Sequence, residues 1–97
     1  MRFDWDDANA SHLATHGITP NEFEEAFRNN PMPLYQAVRH RERRYVALGE
    51  TDESRVLLLV YTKRGRKTRA VTAYVAPRRQ RKIYAEQKST KQKPKKR

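Results

Sequence analysis

The sequence has no cysteine and only three glycines, and these absences exclude several kinds of protein. Without cysteine there is neither a disulfide framework nor a Cys-based zinc site. With so few glycines there is no Gly-rich loop to cradle nucleotide phosphates, which disfavours nucleotide-cofactor chemistry. The longest apolar run, Val56–Tyr61, is far shorter than the roughly 20 residues of a membrane-spanning helix. We therefore expect a protein that has no cofactor and does not enter the membrane.

Negative charge is scarce in most of the chain. Among 97 residues, 22 are Lys or Arg and 11 are Asp or Glu, which gives a formal net charge of +11. The shortage is local, because residues 1–34 carry a net charge of −4 and residues 35–97 a net charge of +15. A basic body of this kind favours polyanionic partners such as nucleic acid. Arginine predominates in it, and the planar arginine fork suits phosphate.

The last ten residues, 88–97, hold six positive charges and no apolar side chain. Such a segment buries too little surface to offset the entropy of ordering, so it is predicted to be a disordered tail. The remaining residues, 1–87, have the length of a single small domain. The start of the chain, MRFDWDD, is acidic where a signal peptide would be apolar, so a cytoplasmic location is expected.

Two helices are predicted in the N-terminal third. The first begins near Asp6 or Asp7 and runs to about His16, where Gly17 can take the left-handed conformation that ends a helix. The second begins at residues 19–22, TPNE, which form a capping box with proline at the first helical position. These are the strongest local structural signals in the chain.

The rest of the chain predicts strands followed by a helix. Val56–Thr62 is apolar on both faces and is predicted to be the central strand. The predicted fold class is α+β, with two N-terminal helices, an antiparallel sheet of about four strands and a C-terminal helix. Further strands are expected near 3–5, 34–38, 44–49 and 67–75, and Pro77 is expected to open the last helix.

A cluster of cations is predicted around Gly65. If Gly65 and Arg66 are the central residues of a type II′ turn, Arg64 faces Lys67, and Arg69 lies on the same face. Like charges repel unless an anion joins them, so this arrangement indicates a phosphate site. The alternatives are a solvated hairpin tip, or a three-residue loop that moves Arg69 to the opposite face.

Further side chains have acid–base or stacking chemistry. His40 and Glu42 lie in the segment RHRERR and can exchange protons near neutral pH, or else form a polar loop between strands. Tyr74 could donate a proton or stack on a base, or serve as a core aromatic. His12 and His16 have the i, i+4 spacing of metal ligands, but no third ligand accompanies them, so no metal site is predicted.

Several stretches taken together resemble the BrnT family of toxins from bacterial type II toxin–antitoxin systems. They are FDWDDANASHLATHGIT, FEEAF, HRERRYVALG, LLLVYTKRG, TRAVTAYVA and RRQRKIY, spread over residues 2–86. The resemblance implies a RelE-like fold, metal-independent endoribonuclease activity and inhibition by a BrnA-type antitoxin. It also implies that operator DNA is contacted only through the antitoxin complex. A homodimer and a heterotetramer with the antitoxin are the assemblies considered.

The resemblance also assigns site residues. The family's basic active-site positions correspond to Arg64 and Arg69, joined by His40, Glu42 and Arg44. Two positions depart from the family pattern, because Tyr74 stands where an Arg is usual and Gln80 where a Glu is usual. The loss of one phosphate-binding Arg predicts weakened catalysis, unless Tyr74 replaces it as a proton donor.

These observations predict RNA cleavage by attack of the ribose 2′-hydroxyl on the adjacent phosphate. Two alternatives stay open: a non-catalytic nucleic-acid-binding module, and a degenerate toxin relative that mainly binds its antitoxin. The predicted catalytic residues are Arg64, Arg69, His40, Glu42 and Tyr74, and the predicted RNA-binding residues are Arg44, Lys67, Arg78, Arg81 and Lys82.

Overall fold

The computed structural model describes residues 2–92 and shows an α+β fold. Its five strands form one mixed sheet in the order β1-β5-β4-β3-β2. β1 runs parallel to β5, and every other neighbouring pair is antiparallel. Along the chain the elements are β1 (Arg2–Phe3), α1 (Asp7–Ala14), α2 (Pro20–Arg28), β2 (Met32–Arg39), β3 (Glu42–Glu50), β4 (Val56–Arg64), β5 (Lys67–Val75) and α3 (Arg78–Gln92).

The expected antiparallel sheet of about four strands is wrong in one respect, because β1 is a fifth, parallel strand. Arg2 pairs with Lys67 and Phe3 with Thr68. A strand of two residues is too short to show its direction or its partner in a hydrophobic pattern, although the sequence does predict an edge strand in this region. The three helices and the central position of β4 are confirmed.

Both N-terminal helices begin with a capping box, of which the sequence predicts the second and, for α1, only a cap at Asp6 or Asp7. Asp6 accepts a hydrogen bond from the backbone N–H of Asn9, whose side chain accepts one from Asp6 in return. Thr19 and Glu22 make the same reciprocal pair at the start of α2, with Pro20 in the first turn. Each box satisfies two of the backbone donors that a helix start leaves unpaired. After α1, Gly17 has a φ of +74°, as predicted for the end of that helix.

The helices cover the two faces of the sheet unequally. Leu57 and Leu59 of β4 pack with Leu13 of α1 and Phe23 of α2 in one buried cluster. Leu58 points to the other side and packs with Tyr84 of α3. Successive strand residues point to opposite faces, so α1 and α2 lie on one side of the sheet and α3 on the other. These two sides are called the α1/α2 face and the α3 face.

Two tight hairpin turns lie at the same end of the sheet. In the β4–β5 hairpin, Gly65 has a φ of +62° and Arg64 pairs with Lys67, as a two-residue type II′ turn requires. In the β2–β3 hairpin, His40 and Arg41 have φ values of 52° and 66°, which fits a type I′ turn. The charged segment at 39–44 is therefore a hairpin turn with strand on both sides, and β3 already begins at Glu42.

β5 contains one bulge. Val60 of β4 pairs with Thr72 and Tyr61 pairs with Ala70, so Val71 is an extra residue between them. Because the one-residue shift in the β4–β5 register occurs at this bulge, the turn at Gly65 has only two residues.

The C-terminal helix extends past the predicted domain boundary. α3 runs from Arg78 to Gln92 and so continues into the segment 88–97 for which the sequence predicts disorder. Residues 93–97 of that segment lie outside the described residues.

Candidate functional site

A row of charged residues occupies the hairpin end of the α3 face. Tyr61 packs on the α1/α2 face, so Thr62 and Arg64 point to the α3 face. Their partners on β5 share that face, because Thr62 pairs with Arg69 and Arg64 with Lys67. Continuing the β3–β4 register from the Tyr45–Tyr61 pair places Arg44 beside Thr62 and Glu42 beside Arg64. We call this surface the charged face, formed by Arg39, Glu42, Arg44, Arg64, Lys67 and Arg69.

Arg64 and Glu42 meet across neighbouring strands. The Arg64 Nε donates to Glu42 Oε2 at 3.3 Å. The Arg64 side chain is 55% exposed, so its guanidinium is accessible to a ligand while it contacts the carboxylate. A carboxylate beside an exposed arginine brings a proton acceptor and a phosphate-binding group to one place.

Arg69 is held more tightly, and by different partners. Its Nη2 lies 2.9 Å from Asp6 Oδ2 and its Nη1 lies 3.7 Å from Asp4 Oδ2. The side chain is only 17% exposed. Asn9 fixes this acidic segment to the sheet, because its Nδ2 donates to the backbone oxygens of Asp4 and Ala70. Arg69 is therefore part of the junction between the N-terminal segment and β5.

The two predicted phosphate-binding arginines share a face but have partners on opposite sides. Arg64 on β4 reaches toward β3, whereas Arg69 on β5 reaches toward the segment that follows β1. The backbone N–H of Asn9 is the main cause that lowers the pKa of Asp6, and Arg69 lowers it further, so this carboxylate stays ionised beside the guanidinium. A phosphate that binds Arg69 has to compete with two carboxylates, and a phosphate that binds Arg64 with one.

The remaining hairpin residues differ in accessibility. Lys67 and His40 are exposed, and His40 occupies the tip of the β2–β3 hairpin. Arg44 is half-buried, and within the part of the chain that is described its Nε has no hydrogen-bond partner. An unpaired buried donor of this kind calls for a ligand or water. Arg44 thus adds a binding group to the charged face.

Tyr74 lies further along the α3 face, away from the hairpins. It pairs with Leu58 in register and packs at the margin of the α3 cluster. Its ring lies 5.7 Å from that of His16, which is itself 5.5 Å from His12. The two histidines therefore form an aromatic cluster with Tyr74. Among the side chains described, residues 2–88, no group of three or more His, Asp or Glu is arranged to hold a metal ion.

The predicted RNA-binding residues of α3 lie on the outer part of the molecule. Arg78, Arg81 and Lys82 are exposed, and Arg81 Nη1 donates to the backbone oxygen of Ala76 at 2.7 Å, which ties the helix start to the end of β5. Gln80 is half-buried, and its Oε1 has no partner among the described residues. These cations add positive charge on the same side of the sheet as the charged face.

Sequence reasoning missed some polar groups of this face. It did not identify Asp4 and Asp6 as partners of Arg69, since more than sixty positions separate them in the chain. It also missed Thr72, whose buried Oγ1 has no partner among the side chains described, residues 2–88. Alternation along β5 would have placed Thr72 on the face of Arg69 only if the bulge at Val71 had been foreseen.

A hollow lies at the opposite end of the sheet from the hairpins. It measures about 790 Å³ and is bordered by Glu50, Tyr84 and Lys88, with the turn at 51–54. Lys88 donates to Glu50 and lowers the pKa of that carboxyl against the raising effect of burial. Burial raises the pKa of the Tyr84 phenol, which donates to the same carboxylate at 3.3 Å. This network ties α3 to β3.

The fold and the charged face define a small, basic α+β protein whose exposed cations suit a polyanionic ligand such as RNA. Residues 5–80 match the family described as ribonuclease toxin, BrnT, of type II toxin–antitoxin system. The chain belongs to this family, whose class implies an RNA substrate and an antitoxin protein as partner. A search of curated proteins gave no match to the chain. None of the described helices is long and apolar enough to cross a membrane.

Proposed function

We propose that the protein is a metal-independent endoribonuclease toxin that cleaves RNA at the charged face and is neutralised by a BrnA-type antitoxin. The observation that carries this proposal is the contact between Glu42 and the exposed Arg64, on a face lined by further cations. The family supports the general activity, and the contacts of the charged face support the proposed roles. The RelE-like character of the fold belongs to the same proposal.

In this mechanism the ribose 2′-oxygen attacks the adjacent phosphorus and the bond from phosphorus to the 5′-oxygen breaks. Glu42 accepts the 2′-hydroxyl proton. Arg64 binds the phosphate oxygens and stabilises the extra negative charge of the transition state, while Arg44 and Lys67 hold the backbone. The products are a 2′,3′-cyclic phosphate and a 5′-hydroxyl, whose proton comes from His40 or from water. No step needs a metal ion.

Arg69 and Tyr74 have different parts in the proposal. Arg69 adds positive charge beside the phosphate and also secures the N-terminal segment through Asp4 and Asp6. Tyr74, which lies further from the hairpins on the α3 face, stacks on a neighbouring base or donates a proton. Arg78, Arg81 and Lys82 add affinity for the RNA backbone without sequence preference.

The decisive experiment compares Arg64→Ala with Arg66→Ala. Both remove one exposed arginine from the same hairpin, but Arg66 lies in the turn and outside the charged face. Cleavage of a labelled RNA is followed in EDTA, and the ends are tested for 2′,3′-cyclic phosphate. We expect Arg64→Ala to lower kcat by about 100-fold to 1,000-fold, as removal of a transition-state donor does. Arg66→Ala should change it little.

Full activity of Arg64→Ala, or activity that is lost in EDTA, would contradict the mechanism. Glu42→Gln tests the base and should remove the acid limb of the pH profile, whereas His40→Ala tests the proton donor and should alter the alkaline limb.

One observation favours the second candidate, a protein that binds nucleic acid or its antitoxin without cleaving RNA. Two carboxylates already neutralise Arg69, which leaves Arg64 as the better exposed of the two predicted phosphate-binding arginines. An unmodified chain that binds RNA but yields no cleaved ends would establish this alternative.

A further inference from the structure

Two tyrosines, Tyr45 and Tyr61, pair in register on the part of the α1/α2 face beyond α2. The rings of Tyr45 and Tyr61 are 5.3 Å apart and within 15° of parallel. Phe27 of α2 packs edge-on against Tyr61 at 4.9 Å and ends the covered part of the face. Tyr45 lies on β3, one strand further from the centre of the sheet than Tyr61 on β4, so the aromatic surface continues from the core towards the outer strand.

A shallow hollow of about 370 Å³ borders these rings. Pro33 and Gln36 of β2 line one side of it, and Tyr45 and Tyr61 line the other. Its size falls in the range of about 300 to 1,000 Å³ that is typical of small-ligand clefts. Burial, together with the neighbouring Tyr45, raises the pKa of the Tyr61 phenol, so this ring keeps its proton at neutral pH.

The polar groups around this hollow are cationic or neutral. Lys63 Nζ lies 4.9 Å from the centroid of the Tyr45 ring, and Arg43 Nη1 donates to Gln36 Oε1 at 3.1 Å. At the hairpin end, the side chains of β2, β3 and β4 that point to the α1/α2 face, away from the charged face, include no carboxylate. They are Gln36, Val38, Arg43, Tyr45, Tyr61 and Lys63. Aromatic faces flanked by lysine and arginine suit a nucleotide, whose base stacks and whose phosphate pairs with the cation.

We propose that Tyr45, Tyr61, Gln36 and Lys63 form a subsite that binds a nucleotide of single-stranded RNA on the face opposite to the charged face. The base stacks against the tyrosine pair, Gln36 offers its amide to the base edge, and Lys63 binds the phosphate. This subsite rests on the proposed function, since it assigns a place to a part of the same RNA substrate.

The two faces are connected around the end of the sheet. Lys63 and Arg64 are consecutive in β4 and point to opposite faces, so one strand end contributes a cation to each surface. Arg41 and Arg66 occupy the two hairpin turns between these faces. An RNA strand can therefore pass from the tyrosine subsite across the hairpin tips to the charged face without crossing an acidic surface.

The test uses the full chain and a labelled 2′-O-methyl oligoadenylate of about eight nucleotides, which lacks the 2′-hydroxyl needed for cleavage. A second probe of equal length and charge carries abasic sites in place of the bases. We expect Tyr45→Leu to weaken binding of the oligoadenylate at least about fivefold, the lower end for loss of one stacked base. Binding of the abasic probe should stay unchanged, and Tyr45→Phe should bind both probes like the unmodified chain.

Lys63→Ala provides a second variant at an exposed position, where folding is not at risk. It should weaken both probes equally and reduce the salt dependence of binding. In cleavage assays, Tyr45→Leu should raise KM and leave kcat unchanged, the opposite of Arg64→Ala.

Equal binding of the oligoadenylate by Tyr45→Leu and the unmodified chain would overturn the subsite, even if the chain cleaves RNA normally. Weakened antitoxin binding without weakened oligoadenylate binding would also overturn it and would identify a protein interface. If the unmodified chain distinguishes the two probes through Tyr45 but cleaves no RNA, the subsite stands and the proposed ribonuclease mechanism falls.

Discussion

The two faces of the sheet are packed to very different degrees. On the α1/α2 face, Leu13, Ile18 and Phe23 are essentially inaccessible and are surrounded by further aromatic side chains. On the α3 face, the helix contributes Tyr84 as its one buried apolar residue among the described positions, while Ile83 beside it is 41% exposed. Both faces bury apolar strand residues, but two helices cover the α1/α2 face, whereas the hairpin end of the α3 face leaves charged groups exposed.

The largest effect that tests this contrast is on the free energy of unfolding. Phe23→Ala should cost about 3 to 5 kcal/mol, the usual range for removal of a buried aromatic ring. Ile83→Ala on α3 should change stability by less than about 0.5 kcal/mol, as for an exposed position. Urea unfolding followed by the fluorescence of Trp5 measures both. Similar losses for the two variants would mean that the faces contribute equally.

Two arginines of the charged face, Arg64 and Arg69, allow a second, smaller comparison. Arg69→Ala leaves Asp4 and Asp6 without their cation at the start of α1 and should lower the urea midpoint. Arg64→Ala removes only an exposed pair and should leave the midpoint unchanged within experimental error. The contrast fails if Arg64→Ala proves the more destabilising of the two.

The smallest expected effect concerns the attachment of α3. The hydrogen bond from Lys88 holds the pKa of Glu50 below its ordinary value of 4.5. A lowered carboxyl pKa adds stability above the unfolded value, and this stability is lost as the pH falls through the lowered folded value. Because Lys88 is partly exposed, the contribution should be less than about 1 kcal/mol.

Comparison of the unmodified chain with Glu50→Gln between about pH 6 and about pH 3 measures this contribution. The stability difference between the two chains should shrink as the pH falls. A constant difference over that range would show that the Glu50–Lys88 contact adds nothing to the attachment of α3.

The parts of the fold that sequence predicts well are those fixed by neighbouring residues. The box at Thr19 and Glu22 is complete within four positions, and the turn at Gly65 depends on one residue with a positive φ. The β2–β3 turn was not predicted, because His40 and Arg41 adopt left-handed conformations that Asn-Gly or Gly-Gly normally signals. Tertiary pairing of the two strands imposes that turn.

The candidate site could be predicted only in part, because some of its contacts depend on tertiary packing. Register placed Arg64 and Lys67 together, since both flank one short turn. The partners of the arginines depend on long-range packing: Glu42 reaches Arg64 from β3, and Asp6 reaches Arg69 through the start of α1. Composition shows that cations are abundant, but it does not show which of them the few carboxylates neutralise.

The bulge at Val71 determines on which side of the molecule Arg69 emerges. Between the Val60–Thr72 pair and the turn, β5 has one residue more than β4. The extra residue must form either a bulge in the strand or a longer turn. If the extra residue lay in the turn, the loop would be longer and Arg69 would point to the α1/α2 face, away from Asp4. The bulge leaves the short turn intact, so the two arginines proposed to bind phosphate share a face because of one extra residue in β5.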